Sequence, residues 1–267
     1  MRIDVQNLVF TYEGGVEALR GINLVIEPAE RVAIVGQNGA GKTTLVKHFN
    51  GLLRPTSGNV LVGDLDTRGA AVSTLAARVG YVFQNPDEQL FCKTVEEEIA
   101  FGPKNLGYAP ERVATLVSDA LELTDLAGRK EENPYDLSPS WRKMVAMASI
   151  VAMDTPVIVL DEPTTGQDAL NIGRIANIVH TLHARGKTVI TITHDIDFCA
   201  ENFERLIALA QGQVILDAPM VRGLAERELL ASTYVEQPQL TRLGARLKLP
   251  RTIATPEDFL AALTERK

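Results

Sequence analysis

A chain of 267 residues with 45% hydrophobic content can hold one large α/β domain with an appended piece, or two modest domains. Its formal net charge of -7 lacks the basic footprint of a nucleic-acid binder, so no nucleic-acid partner is expected. Cys92 and Cys199 stand far apart in no metal-ligand spacing, no signal peptide opens the sequence, and the longest apolar run, residues 144–153, falls well short of the roughly 20 residues that cross a bilayer. A reducing, cytoplasmic setting is therefore the expectation, with any membrane role supplied by a partner.

Residues 3–10 and 19–26, around the turn Glu13-Gly14-Gly15, predict two strands of an N-terminal antiparallel piece. Tyr12, at the edge of that turn, either stacks on a planar base or covers a strand end, which is the plainer reading. Residues 32–35 predict a buried strand, and Gly36-Gln37-Asn38-Gly39-Ala40-Gly41-Lys42-Thr43-Thr44 follows it. The spacing fits G-x-x-x-x-G-K-[ST], a phosphate-binding loop set between a strand and a helix. Glycine accepts positive φ, so the backbone can wrap an anion, and successive N–H groups at the helix start face the phosphates. Lys42 then reaches the β- and γ-phosphates, and the Thr43 hydroxyl is placed for Mg²⁺.

The turn Pro55-Thr56-Ser57-Gly58 leads into a short strand at 59–62, and residues 79–83 predict another apolar strand, stopped by Gln84-Asn85-Pro86. A polar amide such as Gln84 at the end of a central strand suits a ligand contact in an open α/β sheet. From residue 94 to about 153 the pattern turns helical, with segments at 95–99, 110–123 and 139–153; Gly102-Pro103 and Gly107 are expected to break this insertion early. Val157-Ile158-Val159-Leu160 has no alternation and predicts a strand buried on both faces, ending in Asp161-Glu162. In this context Asp161 coordinates Mg²⁺ through water, while Glu162 faces another way and is available as general base. Residues 188–192 predict a strand that ends at Thr193-His194, which sets His194 for a γ-phosphate contact. His180 and His183 read as a solvated helix face rather than a metal pair.

Three short helices are predicted beyond Gln211-Gly212-Gln213, at 221–233, 239–247 and 256–266. The last carries Thr255 as N-cap, Pro256 at N1 and Asp258 at N3. Leu240, Leu243 and Leu247, then Phe259, Leu260 and Leu263, form apolar stripes that suit a small core or a docking face equally well.

The order of phosphate loop, Gln84, helical insertion, Leu137-Ser138, Asp161-Glu162, Asp168 and His194 resembles the ATP-binding cassette ATPases over residues 1–215. The run from Phe83 to Phe91, FQNPDEQLF, with Thr94-Val95-Glu96-Glu97-Glu98 and Ala100-Phe101-Gly102-Pro103-Lys104-Asn105-Leu106-Gly107, is similar to a narrower group. These are the energy-coupling factor ATPases of the cobalt, nickel and vitamin uptake type; the extension 216–267 matches theirs in length and placement. The resemblance implies an α/β P-loop core at 1–85 and 155–215 with an N-terminal antiparallel β piece, a helical subdomain at 86–154, and a C-terminal helical extension at 216–267 that dimerises. It implies ATP and Mg²⁺ as cofactors and ATP hydrolysis as the activity, powering an importer of a vitamin or transition-metal ion at the cytoplasmic face of the membrane.

Residue by residue, the same resemblance implies that Tyr12 stacks on adenine and that Gly36 to Thr44 hold the phosphates. Thr43, Gln84 and Asp161 serve Mg²⁺, Gln84 also facing a transmembrane partner. Glu162 activates the attacking water, His194 senses the γ-phosphate, Asp168 lies in a loop that talks across a dimer, and Ser138 belongs to the signature that completes a second cassette's site. The implied partners are a second cassette subunit, a transmembrane coupling subunit and a substrate-binding membrane subunit. An ATPase of another transporter type, or a soluble cassette ATPase of DNA maintenance or translation, is the alternative. No long heptad coiled coil interrupts the cassette and no second cassette follows in the sequence, which speaks against the soluble types.

One motif departs. The family signature is Leu-Ser-Gly-Gly-Gln and a basic residue, whereas this chain reads Leu137-Ser138-Pro139-Ser140-Trp141-Arg142. Ser138 with Pro139 still predicts a good helix start, but Pro139 removes one N–H and the bare backbone is gone. A homodimer would carry this change in both composite sites, so a heterodimer is the favoured assembly, with a homodimer as the alternative.

Overall fold

The structure, a computed structural model, describes residues 1–265; residue 266, the predicted end of the last helix, and residue 267 lie outside the described residues. Strands β1 (Ile3–Thr11) and β2 (Glu17–Ile26) pair antiparallel, with Ile3 opposite Ile26 and Thr11 opposite Glu17 around the predicted turn. The chain then supplies β3 (Arg31–Val35) to a second sheet, turns through α1 (Lys42–Lys47), and returns with β4 (Ser57–Val62) and β5 (Leu65–Asp66). The first sheet thus runs β2-β1-β4-β5.

Helix α2 (Val72–Ala76) leads to β6 (Val79–Val82), after which three helices intervene: α3 (Val95–Asn105), α4 (Pro110–Leu123) and α5 (Pro139–Ala152). The second sheet resumes with β7 (Val157–Asp161), α6 (Ala169–Ala184), β8 (Thr188–Ile192), α7 (Ile196–Asn202), β9 (Arg205–Ala210) and β10 (Gln213–Pro219). Its order is β10-β9-β3-β8-β7-β6, parallel throughout except for the β9–β10 hairpin. Helices α8 (Met220–Ala225), α9 (Arg227–Ser232), α10 (Gln239–Arg246) and α11 (Pro256–Glu265) close the described chain.

Strand alternation divides the apolar residues between two cores. Val32 and Ile34 of β3, with Val157 and Val159 of β7, pack toward α1 and the antiparallel sheet, where Leu45, Val46 and Phe49 are also buried. Ala33 and Val35, with Ile158 and Leu160, face the other way, against α5 and α6. The strands that read as continuous apolar runs therefore carry one core on each face, as parallel strands do. The same alternation decides where the carboxylates go: Asp161 shares the face of Val157 and Val159, toward α1, and β6 sends Val79 and Tyr81 to that face too.

Three details differ from the sequence expectation. Helix α3 passes through Gly102-Pro103 and ends only at Leu106-Gly107. Pro103 is buried within the helix, and a Cβ on Gly102 would lie 2.5 Å from Met153 Cγ, so the glycine permits close packing here rather than a stop. The predicted helix 221–233 is two helices, α8 and α9, because Glu226 takes ψ 63 and breaks the run. The hairpin β9–β10 was not foreseen as such, and it carries the sheet to Pro219. The cap of α11 forms as expected: Thr255 Oγ1 accepts from Asp258 N at 3.1 Å, and Asp258 Oδ2 accepts in return from Thr255 N at 3.3 Å.

Candidate functional site

The loop between β3 and α1 is shaped by two glycines that no other residue replaces without cost. Gly36 has φ +145, and a Cβ there would stand 2.3 Å from the Leu209 carbonyl oxygen; Gly41 has φ +100, and its Cβ would meet Ala18 O at 2.7 Å. Lys42 begins α1 and folds over the loop, donating to Gly36 O at 2.7 Å and Gln37 O at 3.1 Å. Burial lowers the Lys42 pKa, opposed by the nearby charges of Glu162 and Asp161. Residues 38–44 of the loop border a polar cavity of about 150 Å³ whose other walls are Gln84, Asp161, Glu162 and Ile192.

The end of β7 supplies the acid side of that cavity. Asp161 Oδ2 accepts from Tyr81 Oη at 2.5 Å and from Thr43 Oγ1 at 3.2 Å. Its other oxygen, Oδ1, is buried and has no hydrogen-bond partner among the described residues. A buried carboxylate oxygen left bare beside a Thr hydroxyl and an exposed Gln amide is a donor set suited to a hard cation that keeps waters or phosphate oxygens. Burial raises the Asp161 pKa, resisted chiefly by the Tyr81 and Thr43 hydrogen bonds. Burial also pushes the Tyr81 phenol far above its ordinary range, so it stays protonated and donates.

Glu162 leaves the strand with φ 48, a left-handed conformation that costs a non-glycine residue about 1–2 kcal/mol. Its N–H donates to Ile192 O at 2.7 Å, the last rung between the β7 and β8 ends. The turn swings the carboxylate to the β8 side, where Oε2 lies 2.9 Å from His194 Nδ1 and accepts from Thr193 Oγ1 at 3.1 Å and Thr165 Oγ1 at 3.2 Å. Glu162 is nearly buried whereas the His194 side chain is 70% exposed, so the pair presents an acid–base group at the mouth of the cavity.

Tyr12 stands at the other edge of the loop. Its hydroxyl is 2.9 Å from Thr44 Oγ1, its ring meets Phe10 edge-on, and 42% of the residue stays open to solvent. Ser138 lies elsewhere, exposed at the start of α5, where Trp141 N donates to its Oγ at 3.5 Å. It does not line the loop cavity. Asp168 caps α6 by accepting from Asn171 N at 2.8 Å.

The residues at the start of α5 are engaged within their own chain. Ser140 Oγ donates to Gln167 Oε1 and accepts from Asn171 Nδ2, both at 2.7 Å. Two guanidinium groups lie over the Trp141 ring, Arg129 at 4.7 Å and Arg174 at 5.1 Å from its centroid. Tyr81, Thr165 and Thr193 escaped the sequence reading because each sits within or beside a run whose apolar or turn character explains it without chemistry. The parity of Tyr81 with Asp161 on neighbouring strands was the one signal available. His180, read as solvated, is exposed but bonded to Arg31 at 2.8 Å and to Asn202 at 3.0 Å. A larger hollow of about 720 Å³ lies between α3 and α4, lined by residues such as Glu97, Lys104, Val113, Val117 and Leu121, and holds none of these groups.

A family model described as "ABC transporter" matches residues 19–165. The energy-coupling factor transporter ATP-binding protein of Methanospirillum hungatei is 39% identical over 247 residues, which is 92% of this chain and 89% of that one. Among solved structures, cbiO1 of Clostridium perfringens, described as part of the ABC transporter complex cbiONQ, superposes with a TM-score of 0.77 at 32% identity, over 92% of this chain and 98% of that one. A dimeric ATP-binding cassette in a post-hydrolysis state with ADP and Pi reaches 0.75 at 28% identity, over 82% and 98%. Other curated relatives are more than twice as long as the matched region, the chain spanning 43% and 45% of the first two.

Proposed function

The chain belongs to the ABC transporter family, and on that premise we propose that it is the ATP-binding and hydrolysing subunit of an energy-coupling factor importer for a vitamin or transition-metal ion. The observation that carries the reading is the convergence of strand ends at one site: the glycine-shaped loop after β3 and Asp161-Glu162 after β7 line one cavity, and His194 after β8 joins it through its contact with Glu162. A phosphate chain lies along the loop amides, with Lys42 as its point charge and Tyr12 against the base. Thr43, Gln84 and Asp161 would hold Mg²⁺, which would supply positive charge to offset that of the phosphates. Glu162 takes the proton of the attacking water, and His194, bonded to the same carboxylate, reports the γ-phosphate.

The narrower assignment is supported by the segments at 83–107 and by the relatives that carry the energy-coupling factor name. In this reading the chain sits peripherally on the cytoplasmic face; no helix among the described residues is long and apolar enough to cross a membrane. It works with a transmembrane coupling subunit, which docks beside Gln84 and residues 86–104, and with a substrate-binding membrane subunit. Phe91 and Phe101, packed edge-on and 59% and 45% exposed, offer the apolar contact that such docking needs. The extension from residue 216 onward serves dimerisation: Leu243, Leu247, Leu260 and Leu263 stay exposed while Thr241, Gly244, Ile253 and Ala262 form the small core beneath.

The partner cassette is a different chain. Pro139 offers no N–H, and Ser140 and Trp141 are held by their own chain's Gln167, Asn171, Arg129 and Arg174, which supports a turn that is poor at receiving a second nucleotide. Replacement Glu162→Gln tests the central assignment. ATP affinity is expected to hold within about twofold while hydrolysis falls about 10²–10⁴-fold, the usual worth of a positioned general base. Unchanged turnover removes Glu162 from its role, and failure to co-purify with integral membrane subunits removes the importer.

A further inference from the structure

Lys143 is a buried cation that the reading above leaves without work. It lies on α5, only 4% exposed, and its ammonium donates to the Glu162 carbonyl at 2.7 Å and to the Thr165 carbonyl at 3.3 Å. Both carbonyls belong to the turn that leaves β7, where the ladder with β8 has ended at Asp161 and Ile192 and no strand neighbour remains to satisfy them. Glu162 is the residue of that turn held at φ 48. Its peptide is pinned at both ends, the N–H by Ile192 O and the C=O by Lys143 Nζ. A strained backbone at a site persists only where the surroundings over-determine it.

We infer that Lys143 is a positioning residue for the water-activating carboxylate: by holding the Glu162 carbonyl it fixes the left-handed turn that aims Glu162 at Thr193 and His194. The inference rests on the reading of Glu162 as general base. Lys143 touches neither nucleotide nor water; it acts on the direction of the carboxylate. An ammonium suits the task because its donors reach two carbonyls at once; burial lowers its pKa, opposed by the charges of Glu162 and Asp161. An apolar side chain of equal length would fill the space and leave the turn free to relax.

The test is a four-member cycle on the full chain with whatever subunits co-purify: wild type, Lys143→Met, Glu162→Gln and the pair. Single-turnover ATP hydrolysis, nucleotide affinity and thermal stability are measured on each. Lys143→Met is expected to lower the rate about 10²-fold, the cost of an ångström-scale misplacement of a catalytic group, with ATP affinity unchanged. In the Glu162→Gln background the same change is expected to cost less than about twofold, because no base remains to misplace. A purely structural lysine lowers the rate by the same factor in both backgrounds, and that result overturns the inference. Where Lys143→Met does not fold, Lys143→Gln keeps one donor for one carbonyl; an intermediate loss supports the role and wild-type turnover by the folded variant overturns it. Wild-type hydrolysis by Glu162→Gln overturns the assignment of the base itself. An inactive Glu162→Gln beside a fully active Lys143→Met overturns only the part given to Lys143.

Discussion

Helices α1 and α5 begin in opposite ways. The turn into α1 is shaped by glycine backbone: Gly36, Gly39 and Gly41 all have positive φ, the Lys42 ammonium bonds the loop's carbonyls, and the N-cap Gly41 makes no side-chain cap bond. The turn into α5 is side chain throughout, with Ser138 as cap, Pro139 at N1, Ser140 bonded to Gln167 and Asn171, and Trp141 in contact with two arginines. Both present a helix N-terminus, so the dipole does not distinguish them. What differs is access. The α1 turn lets an anion approach bare backbone closely, at the cost of a turn whose shape depends on glycine. The α5 turn is anchored to its own chain, and Pro139 gives it no N–H to offer at N1.

The most severe way to break the contrast is to put a side chain into the α1 turn. Gly36→Ala places a methyl 2.3 Å from Leu209 O, on backbone that cannot yield, at a φ that alanine does not adopt. The loop must move, and ATP affinity is expected to fall by on the order of 100-fold, or about 2.7 kcal/mol, by equilibrium binding. Affinity within a few-fold of wild type would show that the cradle does not depend on close backbone approach.

The converse strips the α5 turn. Replacing Pro139, Ser140 and Trp141 together with Gly, Gly and Gln restores bare amides there and removes the anchors to Gln167, Asn171, Arg129 and Arg174. The variant is expected to lose about 2–4 kcal/mol of stability in denaturant, from lost hydrogen bonds and indole packing. Its ATPase rate as an isolated homodimer is expected to rise on the order of 10-fold, since a restored donor at a phosphate is worth at least that. An unchanged rate, or a wild-type homodimer that already works at full speed, would mean that the anchored turn receives nucleotide as it stands.

The α1 turn was legible in the sequence because its chemistry and its spacing coincide: glycines, Lys42 and Thr43 are contiguous, and the strand before them is plain. Asp161, Glu162 and His194 were legible as strand ends for the same reason; the structure sets the two carboxylates in the cavity wall and His194 against Glu162. The supporting side chains were not. Tyr81 sits in an apolar run and reads as core, Lys143 sits in a helical segment that singles it out in no way, and only the parity of β6 against β7, or the contact of Lys143 with the β7 turn, gives them a direction. Pattern also misjudged Gly102-Pro103, whose helix is held by packing against Met153, and the run at 221–233, where Glu226 alone breaks the helix. Local propensity is weak against a tertiary contact of that kind.

The smallest expected effect concerns the side chain behind the α1 turn. Tyr81 donates the shorter of the two hydrogen bonds to Asp161 Oδ2, Thr43 the longer, while Oδ1 is left bare for a cation. Tyr81→Phe keeps the ring in its core and removes the hydroxyl alone. Thr43 still donates, so the carboxylate is not abandoned, and the loss of one buried bond to a charged acceptor is expected to cost about 1.5–3 kcal/mol of nucleotide-free stability. Without the phenol, Asp161 rotates more freely and Oδ1 is held less firmly, so the Mg²⁺ concentration for half-maximal hydrolysis is expected to rise about tenfold, the lower end of what an outer-shell partner contributes. ATP affinity in the absence of Mg²⁺ is expected to stay as it was, because the loop amides and Lys42 are untouched. A fall in that affinity would tie Tyr81 to the cradle itself and blur the line between a backbone site and its side-chain support.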